Sequence, residues 1–359
     1  LMLLRMPGAN VIYVSSMPID PVIIDYYLHL LPGITGYHAW QRLTLISCYD
    51  ASPVPLTKKI LHRPRLIQRI KQAIPPGNVA HIACFNTTPL ERTLSVQLDI
   101  PIYGCDPSLV YLGTKSGSRR TFMKAGVPVP TGAENLTGYD DILHAIVALK
   151  DMHPEIKKAV VKLNDGFSGE GNAVMQYPGE LCGRELEDWL KDNLIEILKP
   201  VSPDISVDMF LEKFILMEGI VEAYVEGKEK TSPSVQCRIN PMGDIDIIST
   251  HDQVLSGEDG QVFEGAHFPA DEEYRTTIAQ MTRCVAEVLK QEGVVGRFGV
   301  DFISVKENNK WTHQAIEINL RKGGTTHPFL MLQFLTNGHY NEATGIFETP
   351  NGQQLYYFA

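Results

Sequence analysis

The stretch Ala315-Ile316-Glu317-Ile318-Asn319-Leu320-Arg321 alternates between apolar and polar side chains. A period of two is the mark of an extended strand, so Ile316, Ile318 and Leu320 turn into a core while Glu317, Asn319 and Arg321 share the other face. Just upstream, Gly299-Val300-Asp301-Phe302-Ile303 sets a carboxylate between apolar neighbours in a second strand pattern. Asp301, Glu317 and Asn319 offer hard oxygen donors of the kind Mg²⁺ takes, one or two carboxylates completed by phosphate oxygens and water. Arg321 is then expected at a γ-phosphate, stabilising charge during transfer. The same alternation also describes an antiparallel strand with a solvated polar face.

Two further clusters bear on a phosphate-bearing ligand. In Val160-Val161-Lys162-Leu163-Asn164-Asp165-Gly166-Phe167-Ser168-Gly169-Glu170-Gly171-Asn172 a strand ends in a lysine and runs into a glycine-rich loop. Backbone N–H groups around Gly166, Ser168, Gly169 and Gly171 are expected to close over phosphates, with Lys162 bridging α- and β-phosphate oxygens; a plain glycine-rich hairpin fits the same residues. The loop is neither a GxxxxGK[ST] nor a GxGxxG pattern. The third cluster, Glu212-Lys213-Phe214-Ile215, is read as part of a strand passing an adenine, its backbone on the base edge, with Glu222 reaching the ribose. An edge strand carrying a solvated Glu-Lys pair is the competing reading.

Composition narrows the field. At 359 residues the chain exceeds the roughly 250 at which single cores usually divide, so two or more domains are expected. The hydrophobic share of 44% and charged share of 21% fit a globular protein, and no apolar run reaches the roughly 18 residues needed to span a bilayer. A net charge of -10 argues against a nucleic-acid partner, whose phosphates demand clustered Lys and Arg. The six cysteines lack a CxxC pair or metal spacing and read as reduced thiols of a cytoplasmic protein. Residues 1–10 are read as a leader outside the fold, and the apolar ending at residues 354–359 as the start of a continuing C-terminal segment.

Along the chain, Val11 to Val14, Leu43 to Ile46 and Val79 to Ala83 read as strands, separated by helical stretches including one from Leu56 to Ile74. That order predicts a mostly parallel, Rossmann-like α/β domain over residues 1–112. Residues 113–158 are expected to form a linker with a helix from Lys115 to Ala125. Strand-rich α+β lobes follow over 159–228 and 229–340, with an extension from 341 to 359.

The order and spacing of these clusters resemble the ATP-grasp superfamily. Gly113-Thr114-Lys115 with Met123-Lys124-Ala125-Gly126-Val127-Pro128, then Val161-Lys162, Glu212-Lys213-Phe214-Ile215, Asp301 and Glu317-Ile318-Asn319-Leu320-Arg321 follow in family order. Biotin carboxylases and D-alanine ligases show similar motifs. Closer likeness, through Tyr13-Val14-Ser15-Ser16-Met17-Pro18, Gly113 to Arg120 and Ser168 to Asn172, is to the branch containing the pheganomycin-type peptide ligase. The resemblance implies an ATP-grasp fold, ATP phosphates on Lys115 and Lys162, adenine at Glu212 to Ile215, and two Mg²⁺ ions, or Mn²⁺ in their place, on Asp301, Glu317 and Asn319. It also implies a possible homodimer. D-alanine ligases carry an arginine two residues before the metal aspartate, where this chain has Gly299; Arg297, on the same strand face, is the expected substitute. His327 is read as a helix-start residue, and Ser249 to Gln253 as a wall of the acceptor pocket.

The implied reaction joins a small-molecule carboxylate to an amine, an amino acid or peptide, through an acyl phosphate, with ADP and phosphate released and no protein nucleophile required. A carboxylase or phosphotransferase on the same fold, or a nucleotide-binding protein without chemistry, are the alternatives.

Overall fold

The computed structural model describes residues 1–166, 171–256 and 262–359. The chain forms two compact units, one of Leu1–Pro107 with Thr326–Asn341 and Phe347–Leu355, the other of Ser108–Thr325 with Glu342–Ile346 and Tyr356–Ala359.

In the first unit, β1 (Val11–Ser15), α1 (Pro21–His29), α2 (Gly36–Trp40), β2 (Leu43–Ser47), α3 (Leu56–Leu61), α4 (Pro64–Ala73) and α5 (Pro89–Leu98) follow in order. β1 and β2 pair in parallel, Val11 beside Leu43 through Ser15 beside Ser47. Apolar clusters pack around this pair, one built on Leu4, Ile24, Leu28 and Leu43, the other on Ile46, Ile60, Leu66, Ile70 and Leu94. The parallel sheet is smaller than its sequence pattern suggests. Val79 to Ala83 contributes a single parallel bridge, Ile82 to Ile102, rather than a strand. Val79 is 98% exposed, two residues past the turn Pro75-Pro76-Gly77, so only Ile82 of that run has a core to join. The helix expected from Leu56 to Ile74 is two helices, because Pro64 starts the second and has no N–H to continue the first.

The second unit runs through α6 (Lys115–Lys124), β3 (Gly132–Leu136), α7 (Tyr139–Met152), β4 (Lys158–Leu163), β5 (Asn172–Gln176), α8 (Gly183–Ile197), β6 (Lys199–Pro200), α9 (Val207–Met217) and β7 (Gly219–Ala223). It continues with β8 (Glu229–Thr231), β9 (Pro233–Ile239), β10 (Ile245–Ser256), β11 (Val262–Phe268), α10 (Arg275–Gln291), β12 (Gly296–Glu307) and β13 (Lys310–Asn319). α11 (Thr326–Thr336), β14 (His339–Asn341), β15 (Ile346–Glu348) and β16 (Tyr357–Phe358) close the chain. A five-stranded antiparallel sheet is ordered β3-β7-β4-β5-β6, and a seven-stranded one β13-β12-β9-β10-β11-β16 with β8 against β12.

In the smaller sheet Ala159, Val161, Leu163 and Val221 pack under Ile142, Ile146, Leu186, Leu190, Phe210 and Phe214 of α7, α8 and α9. The alternate residues, Lys162 and Glu222 among them, therefore face away from those helices. In the larger sheet Val235, Cys237, Phe298, Val300 and Ile318 are buried on one face, as are Ile278, Val285, Ala286 and Leu289 of α10. Among the described residues no helix is long and apolar enough to cross a membrane.

Candidate functional site

One face of the larger sheet is a polar array set by strand register. Glu317 stands opposite Asp301, Asp301 opposite Ser234, and Ser234 opposite His251, so these four side chains share one rung and one face. The next rung is Asn319, Gly299, Gln236 and Ser249, and beyond it Arg297 faces Arg238 and Arg238 faces Asp246. Asn319 Nδ2 donates to Asp301 Oδ2 at 2.9 Å, and Gln253 Nε2 donates to Asp301 Oδ1 at 3.1 Å. Burial and the facing charge of Glu317 push the Asp301 carboxyl up to about 6, against the opposing pull of the Ser234 hydrogen bond, Lys115 and Arg321. Two carboxylates held face to face and partly desolvated are a setting that a divalent cation relieves. Among the described residues no group of three or more His, Cys, Asp or Glu gathers to hold a metal. Two carboxylates and an amide still match Mg²⁺, which takes its remaining oxygens from ligand phosphates and water.

Helix α6 ties this face to the smaller sheet. Thr114 caps it by accepting from Gly117 N, and the N–H groups of Lys115 and Ser116 bond the backbone and side-chain oxygens of Asn164, just beyond β4. Lys115 Nζ reaches Glu317 Oε2 at 2.6 Å. Ser118 Oγ accepts from Ile318 N at 3.0 Å, docking the helix on β13. Gly117 has no room for a side chain, since a Cβ there would lie 1.8 Å from the Tyr111 carbonyl oxygen.

On the smaller sheet, Lys162 of β4 bonds Glu222 of β7, and the other oxygen of Glu222 accepts from Arg119 Nη1 at 3.2 Å. Arg119 also reaches the Pro130 carbonyl at 2.7 Å and Glu134 Oε2 at 3.3 Å. Lys162, Glu222 and Arg119 are each at least 93% buried. Glu222, expected at a ribose, is bridged to two cations. Gly166 and Gly171 close the base of the loop after β4, each glycine's Cβ position lying within 3.2 Å of the other's Cα. Ser168 and Gly169 lie outside the described residues.

The strand expected at Glu212-Lys213-Phe214-Ile215 is a correction: these residues lie in the helix α9. Ser206 caps it by accepting from Met209 N, and Phe210 and Phe214, four apart, bury one stripe while Glu212 and Ile215 are exposed. Their backbone groups belong to helical hydrogen bonds and do not offer the base edge that a strand would. The segment leaving the smaller sheet for the larger is Tyr224 to Lys228, between β7 and β8. Arg297 stands two rungs from Asp301 on its face, opposite Arg238, whose Nε and Nη2 hold Asp246 Oδ2 at 3.0 and 2.6 Å. Arg321, just past β13, donates to the Lys322 carbonyl at 3.1 Å. His327 is exposed in the first turn of α11 and stacks near Phe85.

Ser249, Thr250 and His251 are fully buried, and the Ser249 hydroxyl and His251 Nδ1 have no hydrogen-bond partner among the described residues. The polar face of β9 escaped the sequence reading, although Ser234-Val235-Gln236-Cys237-Arg238-Ile239 alternates as plainly as the stretch at Glu317.

Residues 108–181 and 182–343 match the family described as IQCH-like, ATP-grasp. The chain is 28% identical over 368 residues to the L-propargylglycine–L-glutamate ligase of Streptantibioticus cattleyicolor, covering 99% of this chain and 71% of that protein. It is 23% identical over 393 residues to the IQ motif-containing protein H of Danio rerio, covering 97% of this chain and 37% of that protein, so it spans little more than a third of that relative. Among solved structures, biotin carboxylase from Campylobacter jejuni in its β,γ-ATP complex aligns with a TM-score of 0.57 at 16% identity, over 93% of this chain and 68% of that one. The ADP complex of N5-carboxyaminoimidazole ribonucleotide synthetase aligns at 0.54 and 14%, over 91% and 68%.

Proposed function

Since the chain belongs to the IQCH-like ATP-grasp family and carries the ATP-grasp fold, we propose that it is an ATP-dependent carboxylate–amine ligase. The observation that carries this reading is the convergence of Asp301, Glu317 and Asn319 on one face with Lys115 against Glu317. The similarity to a ligase that joins two amino acids supports the class of reaction.

In this reading Asp301, Glu317 and Asn319 hold Mg²⁺, as one or two ions or with Mn²⁺ substituting, and the metal when bound neutralises phosphate charge. Lys115 and Lys162 bind the ATP phosphates, with the backbone of Gly166 and Gly171 beside them. The adenine lies against the Tyr224 to Lys228 crossing, where backbone N–H and C=O groups leave a sheet. A substrate carboxylate attacks the γ-phosphorus, ADP departs, and Arg321 stabilises the transferring group. The amine then displaces phosphate from the acyl phosphate, giving an amide. Positioning and cations supply the rate, and exclusion of water protects the intermediate. Arg297, Arg238, Gln236 and the Ser249 to Gln253 strand line the side on which amino acid or peptide substrates bind.

ADP release measured over panels of amino acids and peptides, with hydroxylamine present, tests the proposal. Hydroxamate formed in step with ADP is the expected result; ATP binding with no turnover on any pair would replace the ligase by a nucleotide-binding domain without chemistry. That second reading draws on the match to a protein named for a motif rather than a reaction.

A further inference from the structure

Glu222 is 2% exposed and carries two cations, Lys162 on one oxygen and Arg119 on the other. Arg119 is 3% exposed, sits on α6 four residues after Lys115, and also reaches Glu134 Oε2 and the Pro130 carbonyl. The cluster is therefore balanced, with two cations and two carboxylates. Phosphate oxygens beside Lys162 would compete with Glu222 for the three N–H groups of its ammonium, so serving them weakens its hold on the carboxylate. A buried carboxylate stripped of its single partner is strongly unfavourable, because burial removes water's compensation and leaves the charge bare. A carboxylate that keeps a second, rigid cation does not meet that obstacle.

We propose that Arg119 is a positioning residue for nucleotide binding: by holding Glu222 from its other side, it lets the Lys162 ammonium turn from Glu222 to the phosphates. The fixed guanidinium suits the task better than a second lysine. It spans three acceptors at once and is held there, so it stays when Lys162 moves. Arg119 does not touch the ligand in this account. It acts through Glu222 alone, which separates it from the phosphate-binding role proposed for Lys115 on the same helix.

The inference rests on the nucleotide-binding part of the proposed function, and direct binding of Mg-ATP to the full chain, read by calorimetry, tests it. Relative to the unmutated protein, Arg119→Met is expected to raise the Kd by tenfold or more, and Arg119→Lys by less. Where chemistry can be measured, KM for ATP rises while kcat at saturation stays within a few-fold.

The decisive arm is Glu222→Gln placed on the Arg119→Met background. With no carboxylate left to strand, affinity should recover to within a few-fold of the parent, provided both variants melt cooperatively. An Arg119→Met protein that binds as tightly as the parent would overturn the inference. So would a folded double variant no better than Arg119→Met, which would leave Arg119 as a brace between α6, Pro130 and Glu134. A parent chain that binds no Mg-ATP at all would remove the proposed function and this inference with it.

Discussion

Lys115 Nζ lies 2.6 Å from Glu317 Oε2, and Glu317 stands directly across the β12–β13 ladder from Asp301. One ammonium thus serves a pair of facing carboxylates, one of which it touches. Replacing Glu317 by Gln keeps the shape and the strand but removes a charged oxygen donor. ADP production in Glu317→Gln is expected to fall by about 100-fold or more, the scale of a lost electrostatic contact in phosphoryl transfer, with the melting temperature nearly unchanged. Turnover within tenfold of the parent would remove Glu317 from the metal set.

The two lysines should separate from Glu317 in the kinetics. Lys115→Met and Lys162→Met are each expected to raise the apparent KM for ATP, or lower kcat, by on the order of tenfold or more. In Lys162→Met, Glu222 keeps its bond to Arg119, so the protein should fold. Initial rates across an ATP titration decide the matter, and a variant with unchanged KM and kcat would place that lysine outside the phosphate site.

The polar face at Glu317 and Asn319 was legible because alternation through Ile316, Glu317, Ile318 and Asn319 reads as a strand with its polar residues on one side. Its partners were legible in principle, since Ser234, Gln236 and Arg238 alternate in the same way, but register across four strands is a tertiary fact that one strand's pattern does not carry. α9 was misread for a related reason. Its run Met209-Phe210-Leu211-Glu212-Lys213-Phe214-Ile215 is short and apolar, a length at which helix and strand look alike. The deciding signals were Ser206 as a cap and the four-residue spacing of Phe210 and Phe214. Arg119 stood inside a quoted motif with no role, because its partners Glu222 and Glu134 come from strands over a hundred residues and fifteen residues away.

Gly117 offers a test of how tightly α6 is set. A Cβ at this position meets the Tyr111 carbonyl oxygen at 1.8 Å and its carbon at 2.8 Å, both backbone atoms that cannot swing aside. Gly117→Ala should cost about 3 kcal/mol and displace the helix that carries Lys115 and Arg119, so ATP turnover falls with the melting temperature. Gly138→Ala, where nothing lies within 4 Å of the new carbon, is the control and should melt within a degree or two of the parent.

Acid should act on the larger sheet through His251. The ring is fully buried between Phe268 and Tyr357, its Nε2 2.9 Å from the Tyr357 hydroxyl, and burial pushes its pKa down to about 3. The unfolded chain takes up the proton near pH 6.5, so below that pH protonation favours the unfolded state and stability is lost as pH falls from 6.5 toward 3. At 1.36 kcal/mol per pH unit the loss is about 2 kcal/mol by pH 5 and about 4–5 kcal/mol in full. His251→Gln removes the titration while leaving every other ionisable group in place. It should be the less stable protein at pH 7, for want of the ring's packing, and the gap to the parent should narrow by about 2 kcal/mol between pH 7 and pH 5. Thermal melts of both proteins at those two pH values check this, and parallel losses would mean that His251 takes its proton within the folded sheet.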